Sequence, residues 1–335
     1  MGMKKPDYAK LVHSPADLSA AIIQWAEHVE KYTGITWGIP CIDSKVVPMY
    51  PGDFTCILGR PGAGKSSLLA FLAKQEARRI VERGTQDKEA VVYVTWESSA
   101  EEIASFLMIS GKKTGGYSVS DLAWGRVPLE KVRQDALNLV TLPVWTIGHG
   151  IGRADQNIVR MTPKVVYHAI ETMEAEYGRK PVLMLFDYIQ LIPSETAQER
   201  VAQVTEAPIR IKELALTLGA PAVAAVQASR KVDTYDTKLP EQNDAQWASS
   251  IEQTADKMFS LWRPAVTEGL VRDGQPIFIE FQGKRLQVTN ELMLIQMIKQ
   301  RREQGRHLWA MYFDPAYLWL AEMELRHAAD APIDF

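Results

Sequence analysis

The sequence is short of everything that would place it in a disulfide, zinc or membrane class. It holds two cysteines in 335 residues, Cys41 and Cys56. Two thiols make no disulfide framework, and both read as reduced cysteines of a cytoplasmic protein. The six histidines have no cysteine partners at metal-ligand spacing, which argues against a zinc site. No apolar run reaches the length of a membrane span, and the opening MGMKKPDYAK carries no apolar signal core. Repeats and low-complexity tracts are missing too. Positive charge is not in excess: 38 Lys and Arg against 41 Asp and Glu leave a net charge of −3. Any contact with a nucleic acid must then come from a local patch or a channel.

What is there is enough apolar residue, 46% of the chain with 24% charged, to bury a substantial core. The length suits one large α/β domain or about two ordinary ones. The stretch PGDFTCILGRPGAGKSSLLA (51–70) dominates. Phe54 to Leu58 reads as a buried strand, a glycine-rich turn follows, and helix formers begin at Ser66. Gly59, Gly64, Lys65 and Ser66 satisfy G-x-x-x-x-G-K-[ST] in the strand–loop–helix setting that the motif requires. Glycines let backbone N–H groups point at phosphate oxygens, and the positive end of the helix adds to the attraction. The expected phosphate cradle is Gly59, Arg60, Pro61, Gly62, Ala63, Gly64, Lys65, Ser66 and Ser67. Lys65 would reach the β- and γ-phosphates and the Ser66 hydroxyl would ligate Mg²⁺, so ATP and Mg²⁺ are the expected substrate and cofactor.

Strands alternate with helices through the rest. Residues 90–96, 143–147, 181–187, 221–227 and 256–263 read as strands, with helices at 66–82, after Glu97, at 163–177 and from about 195 to 218, where Pro208 should kink or divide the last. A hairpin is expected around 276–289, and 291–298 should pair with 307–313. The fold class is a mostly parallel α/β sheet with helices on both faces and antiparallel strands at one edge. Ahead of it, PADLSAAIIQWAEHVEK (15–31) reads as an amphipathic helix capped by Ser14, with Leu18, Ile22, Trp25 and Val29 in one stripe. That stripe would either pack on the chain's own core or dock on a neighbouring subunit. Residues 34–53 read as a loop-rich lead-in.

Phosphoryl transfer needs a metal-holding acid, a group that orients water and positive charge on the γ-phosphate. Asp187, closing the strand VLMLF, fits the metal acid, although an aspartate there also serves as a turn residue or helix cap. Glu97, ending its strand beside the expected γ-phosphate, fits a general base; a helix N-terminal charge is the plainer alternative. Gln227 at a third strand tip fits a γ-phosphate sensor. In IKQRREQGR (298–306), Lys299 and Arg301 alternate at strand spacing and project to one side. From the residues alone a solvated charged face accounts for them as well as an arginine inserted into a neighbour's site.

These segments together resemble the motor domain of DnaB-type replicative helicases, within the RecA-like ATPases, over about residues 34–320. YVTWESSAEEI resembles the strand carrying that family's catalytic glutamate, here Glu97. LMLFDYIQLI is similar to its Walker B strand, with Asp187 in the metal position. AAVQASR matches the segment of the phosphate-sensing glutamine, Gln227. SIEQTAD (250–256) is close to a family signature, and IKQR matches its trans-acting lysine and arginine finger, Lys299 and Arg301. The resemblance implies a hexameric ring with single-stranded DNA in its central channel, a docking helix within 1–33, an ATPase domain over 34–322, a tail over 323–335, and a loader or accessory protein as a possible partner. It also implies a minimal form, since the family's N-terminal primase-binding domain has no counterpart. Before SIEQ the family carries a DNA-contacting loop with arginine and glycine, where this chain has Gln246 and Ser249. Trp247 there is a candidate for base stacking or for plain packing, and Arg230 and Lys231 are the alternative phosphate contacts. The altered loop favours a rival function, a nucleotide-gated assembly platform with little unwinding. A RecA- or KaiC-like ATPase is weakened by SIEQTAD and IKQR.

Overall fold

The computed structural model describes residues 12–31, 34–109, 116–151, 159–194, 200–245, 249–302 and 305–323. Six strands run parallel: β1 (Phe54–Gly59), β2 (Glu89–Thr95), β3 (Val144–Ile147), β4 (Lys180–Asp187), β5 (Ala222–Gln227) and β6 (Lys257–Trp262). Two small hairpins follow, β7 (Val271–Arg272) with β8 (Gln275–Pro276) and β9 (Phe278–Phe281) with β10 (Lys284–Gln287). Three antiparallel strands, β11 (Leu292–Gln300), β12 (His307–Asp314) and β13 (Trp319–Glu322), then extend the main sheet from β6. The order across its nine strands is β13-β12-β11-β6-β1-β5-β4-β2-β3.

Every residue of β1 is buried, as a strand covered on both faces requires; such strands read as continuous apolar runs and not as alternation. Its side chains still divide by face. Ile57 packs with α3 (Lys65–Glu82) and α4 (Ala100–Ile109), which is followed by the short α5 (Val119–Ala123) and α6 (Leu129–Leu139), while Phe54, Cys56 and Leu58 pack with α7 (Pro163–Tyr177) and α8 (Arg200–Leu218). Thr162 caps α7 through Val165 N–H, with Pro163 at its first position. Pro208 lies inside α8 without dividing it. In the hairpin of β9 and β10, Gln282 and Gly283 both take positive φ, 48° and 76°, the twist that a two-residue turn of this kind needs.

The lead-in is more deeply embedded than its loop-rich composition suggests. Ile35, Trp37, Ile39, Ile42, Val46 and Met49 are all buried in the core on the α3 side. A four-residue helix, α2 (Pro40–Asp43), holds the turn, and its Asp43 carboxylate accepts the N–H groups of Trp37, Gly38 and Ile39 at 2.7, 3.0 and 3.1 Å. The first helix, α1 (Pro15–Lys31), is capped by a reciprocal Ser14–Asp17 pair. Among the described residues Leu18, Ile22 and Trp25 on its stripe are exposed, and the Trp25 ring meets Tyr50 edge-on at 6.2 Å between ring centres.

Candidate active site

The phosphate loop opens a cavity of about 430 Å³ at the carboxyl ends of the central parallel strands. Gly64 has φ 93°, and a Cβ there would lie 2.6 Å from the Met293 methyl carbon. Only glycine suits such a backbone in so close an approach. The turn hands the chain to α3, whose N-terminus has no side-chain cap. Its first N–H groups lack intrahelical partners and are available to an anion.

Pro61, Gly62, Gly64, Lys65, Ser66 and Ser67 line the cavity. Gly59, Arg60 and Ala63 stand behind it. The Lys65 ammonium donates to the Gly59 carbonyl at 2.9 Å and the Arg60 carbonyl at 3.1 Å, and Ala63 N–H donates to the Arg60 carbonyl at 3.1 Å. The Arg60 guanidinium leaves the phosphate loop for Asp233 and the Ala228 carbonyl.

Strand ends supply the remaining groups. Glu97, Asp187 and Gln227 all line the cavity with Lys65. Asp187, at the end of β4, is buried; it accepts hydrogen bonds from the Ser66 hydroxyl and, at 2.9 Å, from Tyr93 Oη. Burial lifts its carboxyl above the usual range. Glu97 follows Trp96, which is pinned by its backbone N–H to the Asp187 carbonyl (3.0 Å) and its ring N–H to the Met161 carbonyl (2.8 Å). Burial, then the charge of Asp187, raises the Glu97 carboxyl as well. Gln227 is held through its main chain: its N–H donates to Gln190 Oε1 at 3.1 Å and its carbonyl accepts from Gln190 Nε2 at 3.0 Å.

Tyr188, next to Asp187, also lines the cavity, and three residues close its other wall. Arg263 follows β6, with its guanidinium 5.1 Å from the Phe313 ring centre and donating to the Gly62 and Asn290 carbonyls at 3.3 and 3.1 Å. Phe313 and Pro315 complete that wall. Arg263 obeys the same rule that picked out Gln227, a polar residue closing a buried strand, and that rule would have found it. Tyr93, Gln190 and Phe313 left no such signal.

Lys299 and Arg301 are elsewhere. Lys299 donates to the Glu252 carbonyl, and Arg301 donates to Asp256 Oδ1 at 2.9 Å and the Gln253 carbonyl at 3.3 Å. Both therefore rest on α9 (Ser249–Thr254) and the residues just before β6. Asp256 also accepts Phe54 N–H at 2.8 Å and the Lys212 ammonium at 2.6 Å. Phe54 begins the six-residue β1 and the phosphate loop follows its end, so Lys299 and Arg301 lie about 20 Å from the cavity at strand rise. Next to it Arg302 pairs with buried Asp53, which is already paired with buried Lys257. Arg230 and Lys231 are exposed on a 3₁₀ turn, Arg230–Thr234. Gln246 and Trp247 fall outside the described residues.

The residues fit a magnesium–nucleoside triphosphate: left-handed glycines, a free helix start, a half-buried lysine and a hydroxyl–carboxylate pair face one cavity. Burial brings the Lys65 ammonium down to about 8, against the pull of Asp187 and Glu97. The charged form binds phosphate, so affinity is expected to be flat up to about pH 8. Above that pH it should weaken by roughly tenfold per unit, because binding must then take up a proton. Titration of a fluorescent nucleotide between pH 7 and 9.5 checks this, and a flat profile would remove the charge from the binding step.

The sequence matches the model of the DnaB-like helicase C-terminal domain over residues 34–308. It is 26% identical over 268 residues to the replicative DNA helicase DnaB of Rickettsia conorii, covering 78% of this chain and 52% of that one. Against the Helicobacter pylori protein of the same name it is 25% identical over 264 residues, covering 78% and 50%. The chain thus spans about half the length of the curated relatives it matches. Among solved structures, the ATPase domain of G40P superposes with a TM-score of 0.71 at 17% identity, covering 93% of this chain and all of that one. A structure of a DnaB-like replicative helicase and its interactions with primase gives 0.70 at 17% identity, covering 91% and 67%. At that identity the superpositions speak to the fold, a RecA-like sheet with antiparallel edge strands. No helix among the described residues is long and apolar enough to cross a membrane. With the family match running from the buried lead-in through the phosphate loop to β12, the chain belongs to the DnaB-like helicase C-terminal domain family.

Proposed function

We propose that this chain is the ATP-hydrolysing subunit of a ring, hexameric as the family resemblance implies, that moves along single-stranded DNA in a central channel. The observation that carries the proposal is the split of the machinery. Lys65, Ser66, Asp187, Glu97 and Gln227 meet in one cavity, while Lys299 and Arg301 lie at the far end of β1, out of reach of their own phosphate loop. A second copy is needed to bring the two sets together.

In this arrangement Glu97 takes the proton of the attacking water, Lys65 and the α3 N-terminus hold the phosphates, and Gln227 hydrogen-bonds the γ-phosphate. Ser66 and Asp187 would hold Mg²⁺, which supplies positive charge to the phosphate oxygens when bound. Arg301 and Lys299 of an adjacent copy stabilise charge developing on the transferred group. The exposed Leu18, Ile22 and Trp25 of α1 offer an apolar stripe to the neighbouring subunit. Arg230 and Lys231 contact the DNA backbone, and any loader or accessory protein acts on the assembled ring.

The test combines particle mass with turnover. Magnesium and ATP should convert the protein to a ring by mass photometry, single-stranded DNA should accelerate ATP turnover, and a forked duplex should be unwound. A protein that stays a single copy under saturating ATP and magnesium, with or without a polynucleotide, would overturn the cross-subunit site. Ring formation with turnover indifferent to DNA would instead make it a nucleotide-gated platform.

A further inference from the structure

The Arg60 guanidinium forks onto one carboxylate: Nε donates to Asp233 Oδ1 and Nη2 to Asp233 Oδ2, both at 2.9 Å, while Nη1 donates to the Ala228 carbonyl at 3.1 Å. Arg60 is the first residue beyond β1, and Ala228 the first beyond β5, which pairs with β1 in register as far as Gly59 and Gln227. The two chains stay joined past the sheet, since Ala228 N–H donates to the Gly59 carbonyl at 3.2 Å. That carbonyl also accepts the Lys65 ammonium, and the Arg60 carbonyl accepts it too. The lysine that serves the phosphates therefore rests on the same two peptide groups that carry the bridge to residues 228–233.

The far end of the bridge is the 3₁₀ turn of Arg230–Thr234. Its Val232 is fully buried, while Arg230 and Lys231 face solvent. Other ties run to the segment behind: Ser229 N–H to the Asp244 carbonyl at 2.8 Å, and Tyr235 Oη to Asp244 Oδ1 at 2.8 Å. Asp233 is the residue of the turn that faces the phosphate loop. Bidentate arginine–carboxylate pairs fix orientation as well as distance, so a rearrangement of Arg60 is passed to the turn that holds the two exposed cations.

We infer that Asp233 is a positioning residue that couples the nucleotide site to the polynucleotide-binding turn. When a triphosphate draws Lys65 away from the Gly59 and Arg60 carbonyls, the fork carries the change to Arg230 and Lys231. The effect is reciprocal, because a coupling between two binding equilibria acts equally in both directions. This inference rests on the proposed contact of Arg230 and Lys231 with single-stranded DNA.

The experiment uses the full chain and a fluorescent oligo-dT, with anisotropy read in the presence and absence of magnesium and the non-hydrolysable analogue AMP-PNP. The wild-type protein should bind oligo-dT roughly 5–150-fold differently in the two conditions, the usual span of such couplings. Asp233→Asn keeps the shape and loses the charge, and should bring that ratio close to one with AMP-PNP affinity in the absence of DNA unchanged. Asp233→Glu should restore most of the ratio. An unchanged ratio in Asp233→Asn overturns the inference, and so does a proportional loss of nucleotide affinity, which would mark a merely structural role. Wild-type protein that binds oligo-dT without responding to nucleotide overturns the coupling alone. Wild-type protein that does not bind oligo-dT overturns the DNA contact and the coupling with it.

Discussion

Replacing Arg301 with alanine is expected to cut ATP turnover by about a thousandfold or more, the usual worth of an arginine finger, and to leave nucleotide binding intact. The binding cavity is built without Arg301, so a fluorescent nucleotide should titrate as in the wild type. Nor should the fold suffer. Asp256 accepts from Arg301, Lys212 and Phe54 N–H, which gives one negative charge two cations. Removing the arginine leaves Asp256 paired with Lys212 and bonded to the strand, so no buried charge is abandoned, the circumstance that makes breaking an ion pair expensive. On the proposed arrangement the same surplus would let Arg301 leave Asp256 for a neighbour's phosphate at little cost. Steady-state turnover beside binding affinity decides the matter: turnover retained in Arg301→Ala would refute a trans-acting role.

Glu97→Gln should produce the second large loss, roughly 10²–10⁴ in turnover, the range attributed to a positioned general base. Glutamine keeps the shape and a hydrogen bond to water but cannot take its proton. The site of this residue is fixed by its neighbour, since Trp96 is anchored at both its backbone and its ring, and the substitution should not move it. Burial and the adjacent Asp187 raise the Glu97 carboxyl, which makes it a better base. The sign follows from that: the carboxylate is the active form, so the rate should fall as pH drops through the raised value, and this acid limb should vanish in Glu97→Gln. A variant that hydrolyses ATP at the wild-type rate would move the base elsewhere.

The parts of the site legible in the sequence are those where chemistry and secondary structure impose the same pattern. A phosphate loop must be a strand, a glycine turn and a helix start in one stretch, and Glu97, Asp187 and Gln227 each close a buried apolar strand. Tyr93, Gln190 and Asp233 were not legible, because each acts on a residue 37 to 173 positions away in the sequence: Tyr93 on Asp187, Gln190 on Gln227, Asp233 on Arg60. Only the order of strands brings those pairs together. The lead-in was misleading for a related reason, since Ile35, Trp37 and Ile42 are buried in a segment whose isolated bridge and four-residue helix are too short to show a period. Periodicity revealed the stripe on α1 but not what it meets, and Leu18, Ile22 and Trp25 on it are exposed among the described residues. Of the two expectations for Pro208, division of the helix is not met, since α8 runs through it.

The separation of Arg301 from Lys65 along β1 bears on how damage would spread in a mixed population. On the proposed arrangement, lesion and symptom fall on different polypeptides. A copy without its arginine keeps a sound pocket and silences the one next door, whereas a copy without Glu97 silences only itself. Defects of the first kind are felt by healthy neighbours, so a minority of such copies would poison assemblies made mostly of intact ones.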